Sequence, residues 1–342
     1  MSIETTPTAR RQFLTSLPRR RGGRIPTDEK AGYWIRVHRR AMACRFEITL
    51  AGEDAAFVPA ARTALDEIDR LEDELSVFRE TSAISNVNQR AACQPVAVSP
   101  HLMGLLADCQ RLHHETGGAF DITSTPLSRC WGFLRREGRV PDTDAIEAAR
   151  KLVGFDAVLL DRDAGTVRLA CEGAELNLGA IGKGYALDRV SSGLRASGVE
   201  HALLSAGRSS LLAIGGRGDG WRIDLVSPLM AGGTLAGLEL RDAALGTSGA
   251  GEQFVVADGR RYGHVIDPRT GWPANGVVSA SVVASDAARA DALSTAFLVG
   301  GIDLARRYCA DHRDVFALIT PDDGSQRPVV VGRHPGVRLT GH

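Results

Sequence analysis

The chain contains no run of roughly 18 or more apolar residues, so no membrane-spanning helix is expected. It also lacks an excess of either charge. The 41 Lys and Arg residues balance the 41 Asp and Glu, so no overall field favours nucleic acid or an anionic membrane surface. Cysteine is sparse: Cys44, Cys93, Cys109, Cys130, Cys171 and Cys309 are scattered. None forms a C-x-x-C pair, which argues against a zinc site and leaves most of them as small buried apolar side chains. The GxxxxGK[ST] spacing of a P-loop is missing, and so is any short-period repeat of the solenoid kind. What remains is an ordinary globular composition of 44% hydrophobic and 24% charged residues. At 342 residues the chain is long enough for a sizeable core.

Glycine, by contrast, is plentiful at 38 residues. Short glycine clusters between apolar runs suggest tight turns and close approach of backbone to a ligand. Residues 1–32 stand apart as a basic, poorly ordered tail, with the globular domain expected over 33–342. Arg10-Arg11-Gln12-Phe13-Leu14 resembles the start of a twin-arginine export signal, but Pro18-Arg19-Arg20-Arg21 follows where an apolar segment should be. The missing segment favours a cytoplasmic location, while the arginine pair keeps export open. No Cys precedes position 44, so a lipid-anchored amino terminus is not supported.

Alternation predicts a strand over Phe46 to Leu50. Val58, Ala61, Leu65, Ile68, Leu71 and Leu75 form one helical stripe. A second helix is expected from Pro100 to Glu115, capped by Ser99, and a third over Asp144 to Leu152. A hairpin should join 157–160 to 167–171, with further strands at 202–206, 222–226, 237–241, 262–267 and 277–284. A helix starting near Ser285 and a final hairpin, 315–320 with 329–331, complete the pattern. Strands come in groups without strict βαβ alternation. That predicts an α+β fold of mixed or antiparallel sheets flanked by helices.

Four segments could carry chemistry. Asp291 and Thr295 are four apart on the predicted helix, so both oxygens lie on one face. Small and apolar neighbours surround them, and a carboxylate in that setting needs a partner, such as a hard cation. The plainer reading is an exposed helix Asp. Asn177-Leu178-Gly179-Ala180-Ile181-Gly182-Lys183-Gly184 runs into a helix and sets Lys183 beside helix-start amides, an arrangement suited to phosphate. It reads equally well as a structural turn. In Gly117-Gly118-Ala119-Phe120-Asp121, the aspartate caps a turn or meets a ligand. His264, near the end of a predicted strand before Asp267-Pro268, can titrate near neutrality, although a lone strand histidine is more often structural.

Taken in order, these segments resemble the FAD:protein FMN transferase (ApbE) family. Its Met-Gly-Thr start is matched by Met42-Ala43-Cys44. Its M-S-x-Y/F-x-x-x-S-x-I-S-x-x-N segment is matched from Leu75 to Asn88. G-G-A-F-D-x-T-x-x-P-L is matched from Gly117 to Leu127, and D-L-G-G-I-A-K-G-Y-A-x-D from Asn177 to Asp188. S-H-I-I-D-P-x-T-G-x-P is matched from Gly263 to Pro273, and A-D-A-L-x-T-A from Ala290 to Ala296. The resemblance spans about residues 40 to 335 and implies a T-fold-related architecture.

It further implies that the chain binds FAD with Mg²⁺ and moves the FMN half onto a Thr or Ser of a partner protein, releasing AMP. The partner could be a membrane redox subunit; no nucleic acid is involved. Asp291, Thr295 and the Ala180 carbonyl become metal ligands by this carry-over. Met42, Phe78, Ala119, Phe120, Asp121, Asn177, Lys183 and Ile266 become FAD contacts, and His264 the base for the acceptor hydroxyl. The chain departs from the family at Asn177 (usually Asp), Ala43 (Gly), Ala83 (often Glu) and Ser205 to Ser210, where G-G-D-I is poorly matched at Gly207-Arg208-Ser209. Two alternatives stay open: an FAD pyrophosphatase releasing FMN and AMP, as in some family members, and a non-catalytic FAD-binding protein, which the departures at Asn177 and Gly207-Arg208-Ser209 motivate.

Overall fold

In the computed structural model of the chain, residues 33–228, 233–251, 253–325 and 327–340 are described. The basic tail expected over 1–32 lies outside them. From the amino end the elements are β1 (Trp34–Ala41), β2 (Cys44–Ala51), α1 (Val58–Leu75), α2 (Ala83–Arg90), β3 (Val96–Ala97), α3 (Pro100–Glu115), α4 (Thr125–Cys130), α5 (Thr143–Arg150), β4 (Val158–Asp161), β5 (Thr166–Leu169) and α6 (Gly182–Ala196). They continue as β6 (Ala202–Ala206), β7 (Ser210–Ile214), β8 (Trp221–Val226), β9 (Thr234–Leu240), β10 (Ala244–Gly249), β11 (Phe254–Ala257), β12 (Arg260–Gly263), β13 (Val277–Ala284), α7 (Ala287–Asp311), β14 (Phe316–Pro321), β15 (Val329–Gly332) and β16 (Val337–Thr340).

Eight strands form the main sheet in the order β1-β2-β6-β7-β10-β13-β14-β15. Every neighbouring pair is antiparallel. The period of two sends successive side chains to opposite faces. Along β14, Ala317 and Ile319 join the core under the helices, while Phe316 and Leu318 join a second core. The first core takes the apolar stripes of α1, α3, α6 and α7. The second is closed by β8 and β9, with Trp221, Ile223 and Leu238 packed against Leu211, Leu245 and Val283. β16, β9 and β8 make their own three-stranded sheet there. The fold is therefore α+β, an antiparallel sheet flanked by helices on one face.

Helix ends follow their sequence signals. Ser99 Oγ accepts from Leu102 N at 3.0 Å and Pro100 opens α3, as expected. Asp286 caps α7 by accepting from Arg289 N at 2.8 Å. α7 is interrupted at Gly301, where φ is 71°.

Two expectations need correction. The strand predicted over 262–267 stops at Gly263, and His264 falls in the bend beyond it. The Asp267 carbonyl is consumed by the turn that follows, accepting from Thr270 N and Gly271 N, and Pro268 has no N–H to donate to a ladder. Ile266 keeps only an isolated bridge to Pro273. The cysteines are also less buried than expected. Cys109 and Cys309 are buried, Cys44, Cys130 and Cys171 are half-buried and Cys93 is exposed. Cys44 and Cys130 stand at element ends, where the chain comes to the surface.

Candidate functional site

The crossing of α6 and α7 builds the first part of the site. A Cβ at Gly184 would collide with the Ala287 carbonyl, so only glycine lets the helices meet there. The same close approach lets Gly184 N donate to Asp291 Oδ2 at 2.8 Å. Ser210 Oγ, at the start of β7, donates to the same oxygen at 2.9 Å. α7 lies equally close to β10, where a Cβ on Gly246 would stand 2.5 Å from the Ala290 carbonyl. Asp291 is thus wedged between two helices and the sheet, only 6% exposed. Burial pushes its carboxyl up to about 6, and the charge of Lys183 is the chief influence opposing the rise.

Both hydrogen bonds from described residues fall on Oδ2, leaving Oδ1 for another partner. One turn further along α7, half-buried Thr295 sets Oγ1 3.1 Å from Ser248 Oγ of β10. Ser248 is also 2.8 Å from Ser294 Oγ. Lys183 Nζ donates to Ser209 Oγ. Ala180 lies in the turn just before α6. A carboxylate oxygen, a threonine hydroxyl and a nearby backbone carbonyl are hard oxygen donors, a set that fits Mg²⁺ retaining places for substrate oxygens. Among the described residues no group of three or more His, Cys, Asp or Glu could hold a metal. A multi-carboxylate or zinc-type centre is therefore not offered there.

Asp188 completes the helix pair. Its two oxygens accept from Ala287 N and Ala288 N at 2.8 and 2.9 Å, closing the first turn of α7 from α6. Burial pushes this carboxyl up to about 7.

Asn177 joins two loops. Its N–H donates to Ile122 O at 2.7 Å and its Oδ1 accepts from Gly179 N at 2.8 Å. Beside it, Asp121 Oδ1 takes Thr123 N at 2.7 Å and Thr123 Oγ1 at 2.6 Å, a side-chain turn. Its Oδ2 lies 3.2 Å from His113 Nδ1, an ion-pair contact without hydrogen-bond alignment. Ala119 and Phe120 are core residues, so what they offer a ligand is backbone. Gly118 approaches Arg269, which pairs with Asp267, and so brings this loop to the turn after His264.

His264 is half-buried. Its Nδ1 is 3.2 Å from Gln253 O, and Phe133 meets its ring edge to face. A Cβ on the preceding Gly263 would stand 3.1 Å from Ala250 O, two residues beyond Ser248. The histidine loop is therefore joined to the strand that holds Thr295. Ile266 is buried.

Met42 and Ala43 form the two-residue turn between β1 and β2, with φ of 47° and 56°. Hairpins favour this mirror-image turn but ordinarily fill it with Asn-Gly. A side chain at positive φ costs roughly 1–2 kcal/mol. Met42 N donates to Glu72 Oε1 at 2.7 Å, and Arg79 Nη2 donates to Glu72 Oε2 at 2.5 Å. Phe78, beside Arg79, is 75% exposed. Cys44, just past the turn, feels the charges of Lys183 and Asp291, although burial dominates and pushes its thiol up to about 11.

Sequence reasoning missed Ser209, Ser210, Ser248 and Glu72. Ser210 and Ser248 lie in strands with no alternating signal, Ser209 lies in the turn before β7, and Glu72 reads as one more charge on a solvated helix face. Asp188 was already inside a matched motif, and Ser209 and Ser210 were noted only as part of a poorly matched segment, without a role.

The chain as a whole is similar to known proteins. The ApbE family model matches residues 42–319. An FAD:protein FMN transferase of Vibrio cholerae is 31% identical over 274 residues, covering 77% of this chain and 81% of that protein. One from Treponema pallidum is 34% identical over 288 residues, covering 77% and 79%. Among solved structures, an ApbE protein from Thermotoga maritima aligns with a TM-score of 0.78 at 30% identity, over 89% of this chain and 97% of that one. The flavin transferase ApbE from Vibrio cholerae aligns with a TM-score of 0.74 at 26% identity, over 90% and 96%.

Proposed function

We infer the function from one premise: this chain belongs to the ApbE family. It is an FAD:protein FMN transferase, moving FMN from FAD to a protein. We further propose that the acceptor is a Thr or Ser hydroxyl, in a partner such as a membrane redox subunit, and that Mg²⁺ is required. Residues 33–342 act as one flavin transferase domain in this reading.

The observation that carries the proposal is the buried Asp291 carboxylate, fixed by Gly184 N and Ser210 Oγ beside Lys183. Asp291, Thr295 and the Ala180 carbonyl would hold Mg²⁺, which supplies neutralising charge to the pyrophosphate when bound. Lys183 offers a second positive charge, hydrogen-bonded to a neutral hydroxyl rather than to a carboxylate. Asn177, Asp121 and the backbone of Ala119 and Phe120 line one loop pair for FAD. Met42 and Phe78 offer it apolar surface, and Ile266, being buried, offers backbone.

The acceptor oxygen attacks the phosphorus of the FMN half. The P–O bond to the AMP half breaks, and AMP leaves with the bridging oxygen. The hydroxyl proton passes to His264. When Nδ1–H donates to Gln253 O, Nε2 carries the lone pair that accepts it.

The test is mass spectrometry after incubation with FAD, Mg²⁺ and a threonine-bearing acceptor peptide. A peptide heavier by one FMN, with free AMP, is the expected result. Free FMN with unmodified peptide would establish a pyrophosphatase, and intact FAD would overturn turnover altogether. Asp291→Ala should lower Mg²⁺-dependent transfer by more than about a hundredfold, beyond what loss of an orienting partner costs. Unchanged turnover would remove Asp291 from the metal site.

A further inference from the structure

The last turn of α1 reads Glu72-Asp73-Glu74-Leu75 and contains no basic residue. Carboxylates are misplaced at a helix carboxyl end, where the dipole already presents negative charge. Each of these three is held by a partner. Asp73 pairs with Arg79, and Glu74 accepts from Ser99 Oγ at the start of α3. Glu72 differs in reaching two other segments at once. One oxygen takes the Met42 N–H and the other takes Arg79. Its side chain is only 17% exposed.

The Met42 N–H belongs to the turn between β1 and β2, so the strand ladder does not use it. That turn holds two side chains at positive φ and no glycine. A conformation that the residues themselves disfavour persists only when its surroundings impose it. An ionised acceptor on an otherwise unused N–H is such an imposition. The same carboxylate anchors Arg79 and so fixes the backbone next to exposed Phe78.

We propose that Glu72 is a positioning residue for FAD: it clamps the Met42–Ala43 turn and the Phe78 loop together without touching the substrate. The proposal rests on the reading above, in which Met42 and Phe78 contact FAD. Ala43 gives it a specific test. Glycine adopts positive φ without help. In a chain lacking the clamp, Ala43→Gly should therefore restore the turn.

FAD affinity is measured by quenching of flavin fluorescence without acceptor, beside a thermal melt of each variant. Glu72→Ala should weaken FAD binding by about tenfold, which corresponds to about 1.4 kcal/mol. Adding Ala43→Gly should recover most of that loss. Glu72→Gln, which keeps an acceptor for Met42 N but loses the charge on Arg79, should fall between wild type and Glu72→Ala. It also remains informative if Glu72→Ala does not fold. A merely structural Glu72 would change the melting temperature and leave FAD affinity of the folded protein unchanged. Affinity of both Glu72 variants within about twofold of wild type, or no recovery with Ala43→Gly, would overturn the proposal. If wild type itself fails to bind FAD, the functional reading falls first; wild-type binding with unaffected variants removes the clamp alone.

Discussion

Gly184 occupies a position where no side chain fits, because its Cβ would enter the Ala287 carbonyl at the α6–α7 crossing. Its N–H also holds Asp291. Gly184→Ala should therefore destabilise the protein by about 3 kcal/mol, the upper part of the range for overpacking. Urea denaturation measures this, and a change below about 0.5 kcal/mol would mean that the helices separate freely. Part of this was legible in advance. The glycine-rich run, Lys183 and the Asp291–Thr295 spacing all stood out, because their neighbours in sequence are their neighbours in space. Ser210 did not stand out, since its bond to Asp291 joins residues 81 apart. Ala43 registered as a departure from a family glycine, and its φ of 56° supplies the physical reason for that glycine.

Among the elements, the helices were the most readable. α1 and α3 follow their apolar stripes almost residue for residue, and α3 also follows its Ser99 cap. Three strands of the main sheet were missed for distinct reasons. β1 presents Arg36, His38 and Arg40 outward and is too charged to read as a strand. β7 is buried along its whole length, so it shows no alternation. β10 ends in Gly-Thr-Ser-Gly, which reads as a turn.

The link between α3 and the loop after it carries a pH signature. Burial works against charge on His113, but the Asp121 carboxylate outweighs it and holds the ring above its usual 6.5. A histidine raised in the folded state stabilises fully below its unfolded pKa, and that contribution disappears as pH rises through the folded value. The stability advantage of wild type over His113→Gln should be largest near about pH 6 and should shrink towards about pH 8. Thermal melts across that interval decide it, and a constant difference would show that folding leaves the His113 pKa unshifted.

At the scale of the molecule, the main sheet separates two tasks. The helices, Asp291 and the serines that hold its surroundings lie on one face, and β8, β9 and β16 cover the other. Trp221→Ala, on the covered face, should cost about 3 kcal/mol in stability and leave FAD affinity within about twofold of wild type. An affinity loss in the folded variant would mean that the two faces communicate through the sheet. The α+β class was legible from the grouping of strands. The strand order was not, because β2 pairs with β6 across six helices and a small sheet, and no local pattern announces such a partner.

That pairing has a consequence for how the protein is made. The turn bearing Met42 is made before the strand that flanks β2, which ends at Ala206. At about 5–20 residues per second, the hairpin waits on the order of ten to thirty seconds before its neighbour exists. The first-made part of the proposed site therefore waits for a strand made well after it. Until then a nascent chain carries this turn without the strand that flanks its hairpin.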